Sequence, residues 1–256
     1  MAALTIQILL MGPAGSGKTS LTGNLVEWLI SHEGFKVEAV NLDPGCDYIP
    51  YKASYDVREH FTIAEIMRKE KLGPNGAMIK ASELISERIR ADMEAFYRSH
   101  SPDFTIIDTP GQTEIFLFRE AGSQTVEELQ RIHPTVGLYV VDPYVLDRPS
   151  SVASLFSLGM AVTLKLNMPL ITVLNKIDLL SGDEPLRLIG DLDYLSEKLK
   201  ESGEGAVTDL ALDLVDAVKR SAMPQRVIGV SARTGEGFRN LLDAVKEAFC
   251  ECGDLT

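Results

Sequence analysis

The sequence predicts an α/β domain of three layers, in which a mostly parallel sheet is flanked by helices and carries helical insertions. Short apolar segments alternate with longer segments whose apolar residues recur every three or four positions, as strands alternating with helices do. The chain has 256 residues, of which 45% are hydrophobic, so it is long enough for one large domain with insertions. We therefore expect a single domain over residues 1–256, with right-handed crossovers between parallel strands.

The first predicted strand, Ile6–Met11, runs into Gly12-Pro13-Ala14-Gly15-Ser16-Gly17-Lys18-Thr19, which matches the pattern G-x-x-x-x-G-K-[ST]. A helical pattern follows, so the flanking elements favour a phosphate loop (P-loop) over a chance glycine-rich turn. Lys18 is expected to reach the β- and γ-phosphates, and Thr19 to offer a hydroxyl to Mg²⁺. The fold is then that of a three-layer P-loop NTPase. The residues of this loop expected to bind nucleotide are Gly15, Ser16, Gly17, Lys18, Thr19 and Ser20.

A second apolar run over residues 37–40 predicts a strand that ends in Asn41-Leu42-Asp43-Pro44-Gly45. Asp43 lies just past the carboxyl end of that strand, where open parallel sheets bind ligands. Because Pro and Gly follow it, Asp43 is equally well explained as a turn former.

Residues 46–80 are predicted to form an insertion, because the apolar pattern weakens there into an extended, partly packed loop. Thr62 is the predicted cap of a short helix over residues 62–69, with Glu65 completing a capping box. The stretch Gly73-Pro74-Asn75-Gly76, taken alone, predicts a surface turn, since Asn-Gly favours positive φ.

A long amphipathic helix is predicted over residues 81–100, and a strand over residues 104–107. This strand ends in Asp108-Thr109-Pro110-Gly111-Gln112. An Asp in that position supplies a second magnesium ligand in phosphate-loop proteins. The Gly111 N–H can contact the γ-phosphate, and Gln112 is close enough to orient water.

Strands are predicted over residues 136–141 and 170–174, with a helix starting at Ser150 between them, and a last strand over residues 227–230 precedes a closing helix. Residues 181–224 interrupt this alternation and are predicted to be an acidic helical insertion. Its apolar stripe is explained as core or as a groove for a partner. The residues of this stripe are Val207, Leu210, Ala211, Leu214, Val215 and Val218.

The motif Asn175-Lys176-Ile177-Asp178 favours guanine over adenine. Guanine presents N1–H and an exocyclic amine on one edge, and the Asp178 carboxylate can accept both, whereas it would repel the bare N1 of adenine. Asn175 can link this loop to the phosphate loop, and the Ala232 N–H can donate to guanine O6. The further residues expected to bind nucleotide are Gly111, Asn175, Lys176, Asp178, Ser231 and Ala232.

Bulk properties limit the alternatives. The net charge of −12 disfavours direct nucleic-acid binding. No apolar run reaches the roughly twenty residues of a membrane span, residues 152–164 coming nearest, so no membrane contact is expected. The three cysteines, Cys46, Cys250 and Cys252, form no disulfide framework, and a cytoplasmic location is expected. Cys250 and Cys252 are too few for a zinc site, although a dimer could pool two pairs.

Together these motifs resemble those of the GPN-loop GTPases, and the resemblance covers nearly the whole chain. In this setting Gly73-Pro74-Asn75 is identified as the family's signature loop. The resemblance implies a homodimer of the archaeal type, in which Asn75 of one subunit donates to a phosphate in the other. Eukaryotic relatives act in the assembly and nuclear import of RNA polymerase, which implies a protein client. Pro13 stands where related dimerising ATPases carry a signature lysine.

The implied activity is Mg²⁺-dependent hydrolysis of GTP to GDP and phosphate. Magnesium is expected at Thr19, Asp43 and Asp108. Asp43 and Gln112 are expected to position the attacking water, with Glu114 as a helper. The residues expected to carry catalysis are Lys18, Asp43, Asn75, Asp108, Gln112 and Glu114.

Two other functions stay open at this point. A P-loop nucleotide kinase would need an acceptor site and basic lid residues, and would leave Asn175 and Asp178 without a role. A nucleotide-gated assembly chaperone, in which hydrolysis is incidental, would use the same motifs as a molecular switch.

Overall fold

The computed structural model describes residues 5–112, 117–221 and 227–250, apart from the side chain of Cys250. Within these ranges seven strands form one sheet in which every pairing is parallel. The strands are β1 (Ile6–Met11), β2 (Val37–Asn41), β3 (Tyr55–Asp56), β4 (Phe104–Asp108), β5 (Thr135–Val141), β6 (Leu170–Leu174) and β7 (Val227–Gly229). Their order across the sheet is β3-β2-β4-β1-β5-β6-β7. The predicted α/β fold is therefore confirmed.

Helices cover both faces of this sheet and complete the three layers. They are α1 (Lys18–Glu33), α2 (Ile63–Glu70), α3 (Pro74–Ser99), α4 (Glu120–Ile132), α5 (Pro149–Leu166), α6 (Glu184–Gly190), α7 (Leu192–Ser202), α8 (Ala206–Arg220) and α9 (Phe238–Cys250). Alternation along β1 shows how the layers form. Ile8 and Leu10 belong to the core on the side of α1 and α9, whereas Leu9 and Met11 belong to the core on the side of the other helices, α3 to α8.

The signature loop is helical, which corrects the prediction of a turn. Pro74 is the first residue of α3, and neither Asn75 nor Gly76 has positive φ. Pro is well suited to the first helical position, because its missing N–H would have no partner there. The helix therefore begins seven residues before the predicted start at residue 81, since the buried face continues upstream through Ala77 and Ala81.

The rest of the segment 46–80 contains one predicted and one unpredicted element. The capping box of Thr62 and Glu65 is present at the start of α2, as the sequence predicts. Tyr55 and Asp56 add a short strand to the sheet edge that the weak apolar pattern did not indicate.

Helix α5, of 18 residues, meets a length and composition criterion for a membrane span, with a mean hydropathy of 1.2, and it contains residues 152–164, which came nearest to a span in the sequence. Half of it is buried within the protein. The predicted inward residues, among them Val152, Phe156 and Val162, belong to the core.

Three helices, α6 to α8, occupy the segment 181–224 as far as it is described. The apolar stripe of α8 divides into two parts. Ala211, Val215 and Val218 are buried in the core, whereas Val207 and Leu210 are 52% and 60% exposed.

Candidate active site

The carboxyl ends of β1, β4 and β2 bring the first three motifs together. Leu10 pairs with Asp108 across β1 and β4, and Asn41 pairs with Asp108 across β2 and β4. The phosphate loop, the Asp108 turn and the Asp43 turn therefore leave the sheet side by side, at the edge where parallel sheets bind ligands.

Two glycines shape the phosphate loop. Gly12 has a φ of 147°, and a Cβ there would lie 2.1 Å from the Val140 carbonyl oxygen. Gly17 has a φ of 89°, and its Cβ would lie 2.5 Å from Asn175 Nδ2. Both positions therefore require glycine for conformation and for space.

Helix α1 begins directly after Gly17, which is its cap in the left-handed conformation. The backbone N–H groups of its first turn have no partner within the helix. These donors and the positive end of the helix dipole form an anion site. The first three residues of the helix are Lys18, Thr19 and Ser20.

Lys18 is buried, and its Nζ donates to the carbonyl oxygens of Gly12 at 2.7 Å and Pro13 at 3.2 Å. Burial lowers the pKa of Lys18, and the charges of Asp108 and Asp43 act in the opposite direction. The ammonium group therefore lies inside the loop and close to both carboxylates, where it can meet a phosphate.

Asp108 is only 1% exposed. Its Oδ2 accepts a hydrogen bond of 3.1 Å from the Tyr51 hydroxyl, whereas its Oδ1 is buried without a partner among the described residues. Burial raises the pKa of Asp108 to about 6, although hydrogen bonds from Thr19 and Tyr51 and the charge of Lys18 act against this rise. Asp108 thus keeps an acceptor oxygen free in the interior.

Asp43 is a turn former in this structure, which is one of the two roles that its sequence position allows. Its Oδ1 accepts from the Gly45 N–H at 2.8 Å, as in a turn, and its own N–H donates to Asn41 Oδ1 at 3.0 Å. Burial raises the pKa of Asp43, and the Gly45 N–H, the Lys18 charge and the Gly111 N–H oppose the rise. The Gly111 N–H, expected to face the γ-phosphate, is therefore directed at Asp43 here.

Sequence reasoning missed a polar network that holds the Asp43 turn. Asn41 Nδ2 donates to Asp56 Oδ1 at 2.9 Å, and Arg58 forms an ion pair with Asp56 at 2.6 Å. Arg58 Nη1 also donates to the carbonyl oxygens of Cys46 at 3.0 Å and Asp47 at 3.4 Å. A polar residue ending a buried strand, as Asn41 does, was the signal that could have indicated this network.

The base-recognition loop is tied to the phosphate loop by Asn175. Its Nδ2 donates to the Ser16 carbonyl oxygen at 3.0 Å, and its Oδ1 accepts from the Ala232 N–H at 3.0 Å. The expectation that the Ala232 N–H is free for guanine O6 is therefore wrong for this structure, because Asn175 turns its carbonyl oxygen toward that donor.

Asp178 is exposed, and its Oδ1 accepts from the Ser231 hydroxyl at 2.7 Å. This bond fixes one carboxylate oxygen and orients the other side of the group for a base edge. Lys176 Nζ donates to the Gly15 carbonyl oxygen at 2.7 Å and lies 3.6 Å from Asp142 Oδ2, so its stem crosses the space above the phosphate loop.

Three predicted catalytic residues are less closely tied to the site. Gln112 follows the Asp108 turn and is partly buried. Asn75 is exposed in the first turn of α3. A Cβ on Gly45 would lie 3.8 Å from Met78 Sδ, so this turn of α3 adjoins the Asp43 turn. Glu114 lies outside the described residues.

The residues present fit a magnesium ion. The carboxylates of Asp43 and Asp108 and the Thr19 hydroxyl offer hard oxygen ligands, and Asp108 Oδ1 has no other partner in the described parts of the chain. No group of three or more His, Cys, Asp and Glu residues resembles a metal cluster in those same parts.

Burial raises the pKa of Cys46 to about 11, which suits a packed thiol and not a reactive one. Cys252 lies outside the described ranges.

Comparisons with known proteins agree with this geometry. Residues 10–251 match the family model described as a conserved hypothetical ATP-binding protein. The chain is 38% identical to the GPN-loop GTPase PAB0955 of Pyrococcus abyssi, over 97% of this chain and 99% of that protein. The crystal structure of PAB0955, a GTPase in its apo form, superposes with a TM-score of 0.85 at 36% identity and covers 98% of this chain and 99% of that one.

A eukaryotic relative is more distant and longer. The chain is 29% identical to GPN-loop GTPase 1 of Saccharomyces cerevisiae, over 95% of this chain but only 66% of that protein. The family model's description mentions ATP, whereas these relatives are named GTPases; the exposed Asp178 carboxylate favours guanine.

Proposed function

Because the chain belongs to the GPN-loop GTPase family, we propose that it works as a magnesium-dependent molecular switch whose GTPase cycle takes place in a homodimer. The observation that carries the proposal is the Asn175 side chain, which joins the base-recognition loop to the phosphate loop. One ligand that has both a guanine edge and a polyphosphate satisfies the two loops at once. Family membership favours hydrolysis over the alternative of a nucleotide kinase.

In this proposal Asp178 accepts from guanine N1–H and the exocyclic amine, and the Lys176 stem covers the base. Phosphates bind to the first-turn N–H groups of α1. Lys18 then exchanges its carbonyl partners for phosphate oxygens, so its charge meets the β- and γ-phosphates.

Magnesium is the proposed cofactor, held by Thr19, Asp108 and Asp43. When bound, it would neutralise the negative charge of the phosphates. Asp43 and Gln112 orient the attacking water. The Gly17 N–H, with the Gly111 N–H once it is released from Asp43, stabilises the charge that develops in the transition state.

Asn75 is proposed to act in trans. Its side chain is exposed at the start of α3, next to the Asp43 turn, and it can donate to a phosphate of the partner subunit. A neutral amide fixed on a helix is a preorganised donor, although it stabilises a transferring phosphoryl group less than an arginine would.

The first test is the Asn75→Ala variant. GTP turnover is expected to fall about tenfold to a hundredfold, because one transition-state donor is lost, while GDP affinity is unchanged. Phosphate release and titration with a fluorescent GDP analogue measure the two quantities. Asn240→Ala, an exposed asparagine of α9, is the matched control and should behave as wild type. Unchanged turnover in Asn75→Ala would remove Asn75 from the mechanism.

Mixing two impaired variants separates action in trans from action within one subunit. The Asn75→Ala variant keeps an intact phosphate loop but provides no amide to its partner subunit. The Lys18→Ala variant provides the amide but has a defective phosphate loop. If Asn75 acts in trans, mixed dimers contain one complete site, and a mixture that exchanges freely regains about a quarter of wild-type activity. If the mixture hydrolyses GTP no faster than the separate variants although mixed dimers form, the trans role is wrong.

The proposal extends to a protein client in the assembly of complexes such as RNA polymerase, in the cytoplasm, as the family resemblance implies. Val207 and Leu210 offer exposed apolar surface on α8 for such a contact. Incidental hydrolysis in a nucleotide-gated chaperone is the alternative. Two results together would favour this alternative: a client leaves the rate of phosphate release unchanged, and nucleotide changes the affinity for the client.

A further inference from the structure

Tyr51 connects the segment between β2 and β3 to the buried end of β4. The residue is partly buried and lies beside α1, where a Cβ on Gly23 would lie 3.5 Å from Tyr51 Cβ and 3.6 Å from Cδ1. The Pro50 carbonyl oxygen lies 3.5 Å from the same point. These distances are ordinary van der Waals contacts, so this part of the backbone and the ring of Tyr51 pack against the Gly23 face of the helix.

From this position the ring directs its hydroxyl at Asp108. The Tyr51 hydroxyl donates to Asp108 Oδ2 at 3.1 Å, and Asp108 Oδ1 is left buried with no partner among the described residues. A buried carboxylate normally has all its acceptor positions filled, so an unpaired oxygen beside a phosphate loop indicates a missing ligand. The two oxygens of Asp108 are thus no longer equivalent.

We propose that Tyr51 is a positioning residue, which fixes the rotation of the Asp108 carboxylate so that Oδ1 serves the magnesium site; the inference rests on the proposed binding of Mg²⁺ with the nucleotide. A carboxylate whose Oδ2 is already held by the Tyr51 hydroxyl needs no reorientation when the metal and its water molecules arrive, so less conformational entropy is lost on binding. Tyr51 itself touches neither metal nor nucleotide in this scheme.

The role predicts a specific pattern in nucleotide release. The full chain is loaded with a fluorescent methylanthraniloyl derivative of GDP, and dissociation is followed over a range of Mg²⁺ concentrations and in EDTA. Tyr51→Phe keeps the ring on Gly23 but removes the donor. It is expected to need about tenfold more Mg²⁺ than wild type for the same slowing of release, the effect of one hydrogen bond to a charged group. Release in EDTA is expected to be unchanged.

Tyr55→Phe is the matched control. Its hydroxyl donates to another carboxylate, Asp92 Oδ2, at 2.6 Å, on α3 and not at the phosphate loop. Losing that bond should lower the melting temperature without moving the Mg²⁺ dependence. Because release in EDTA reports on a folded site without metal, it separates a positioning role of Tyr51 from general loss of structure.

Each outcome has a distinct meaning. A shift in Mg²⁺ dependence confined to Tyr51→Phe supports the inference. The same dependence in wild type, Tyr51→Phe and Tyr55→Phe overturns it while leaving the proposed function intact. Faster release of Tyr51→Phe in EDTA also overturns it, because Tyr51 would then support the nucleotide pocket itself. If the rate of nucleotide release from wild type does not depend on Mg²⁺, the magnesium part of the proposed function is wrong, and the inference is wrong with it.

Discussion

The carboxylate of Asp108 costs the ligand-free protein stability. Burial raises its pKa to about 6 from an ordinary value of 3.8. The folded protein therefore binds a proton at Asp108 more tightly than the unfolded chain does. Protonation of Asp108 therefore stabilises the folded protein. This contribution to the free energy of unfolding is largest below about pH 4 and is lost as the pH rises through about 6, above which it no longer changes with pH. At neutral pH the charge is kept for function at the expense of stability.

Asp108→Asn should accordingly stabilise the nucleotide-free protein. We expect its free energy of unfolding at pH 7 to rise by about 1–3 kcal/mol, with a weaker pH dependence between about pH 4 and pH 6. Urea denaturation at several pH values measures both. Asp216→Asn, on the exposed side of α8, is the control and should stay within about 0.5 kcal/mol of wild type. A less stable Asp108→Asn at pH 7 would contradict this account.

Individual side chains were predictable from sequence where a strand end fixes them. Asp43 and Asp108 follow buried strands, so their convergence could be expected from strand adjacency alone. Tyr51 could not, because its stretch has no periodicity and its contact with Asp108 spans 57 positions of the chain. The Ala232 N–H was misassigned because its partner, the Asn175 carbonyl oxygen, depends on a side-chain orientation.

At the scale of elements, helix α3 shows two local signals in competition. Asn75-Gly76 is a turn signal, whereas Pro74 at the first position is a signal for a helix start. The helix forms because Ala77 and Ala81 pack with Ile66 of α2 in a small cluster of their own. Burial thus decides between the two, and burial is not visible in a window of four residues.

Gly76→Ala tests this helical start. A Cβ at Gly76 would make ordinary contact with Leu72, 3.4 Å from its Cβ, and the residue has no positive φ. The substitution should therefore stabilise the protein by about 0.4–1 kcal/mol, because alanine loses less entropy in a helix. Chemical denaturation measures the change. A turn with positive φ at Gly76 would make the same variant less stable.

Helix α4 and strand β3 were not predicted at all. Glu120–Ile132 is amphipathic, but its buried face includes Gly122 and Thr125 beside Val126 and Leu129, so an apolar periodicity is hard to recognise in the sequence. Strand β3 is only two residues long, and it exists because the edge of β2 accepts Tyr55 and Asp56 as partners.

The whole molecule could be predicted more surely than its parts. Six apolar segments with interleaved helices leave little choice but a parallel sheet, and that sheet sets which loops meet at its edge. What the sequence could not reveal is how the segment 46–80 folds against this edge, because the contact between them is polar and long in range, as the hydrogen bond from the Tyr51 hydroxyl to Asp108 Oδ2 shows.

The proposed homodimer belongs to this scale as well. With a non-hydrolysable GTP analogue bound, light scattering after size exclusion is expected to give twice the chain mass of 28.1 kDa. Leu72, which lies two residues before α3, and Tyr48, between β2 and β3, are exposed apolar side chains suited to such an interface, at 36% and 77% exposure. A single chain mass at every concentration, with full GTP turnover, would contradict the dimeric switch.

One further consequence comes from Asn175. Its amide is shared between Ser16 and Ala232, so the two halves of the nucleotide site have a common anchor. Guanosine alone, or pyrophosphate alone, would make the contacts of only one half of the nucleotide site. Its binding would still have to order the other half, because the two halves share this anchor. The affinity of the intact nucleotide should therefore exceed the product of its fragments' affinities, and this side chain is where that surplus originates.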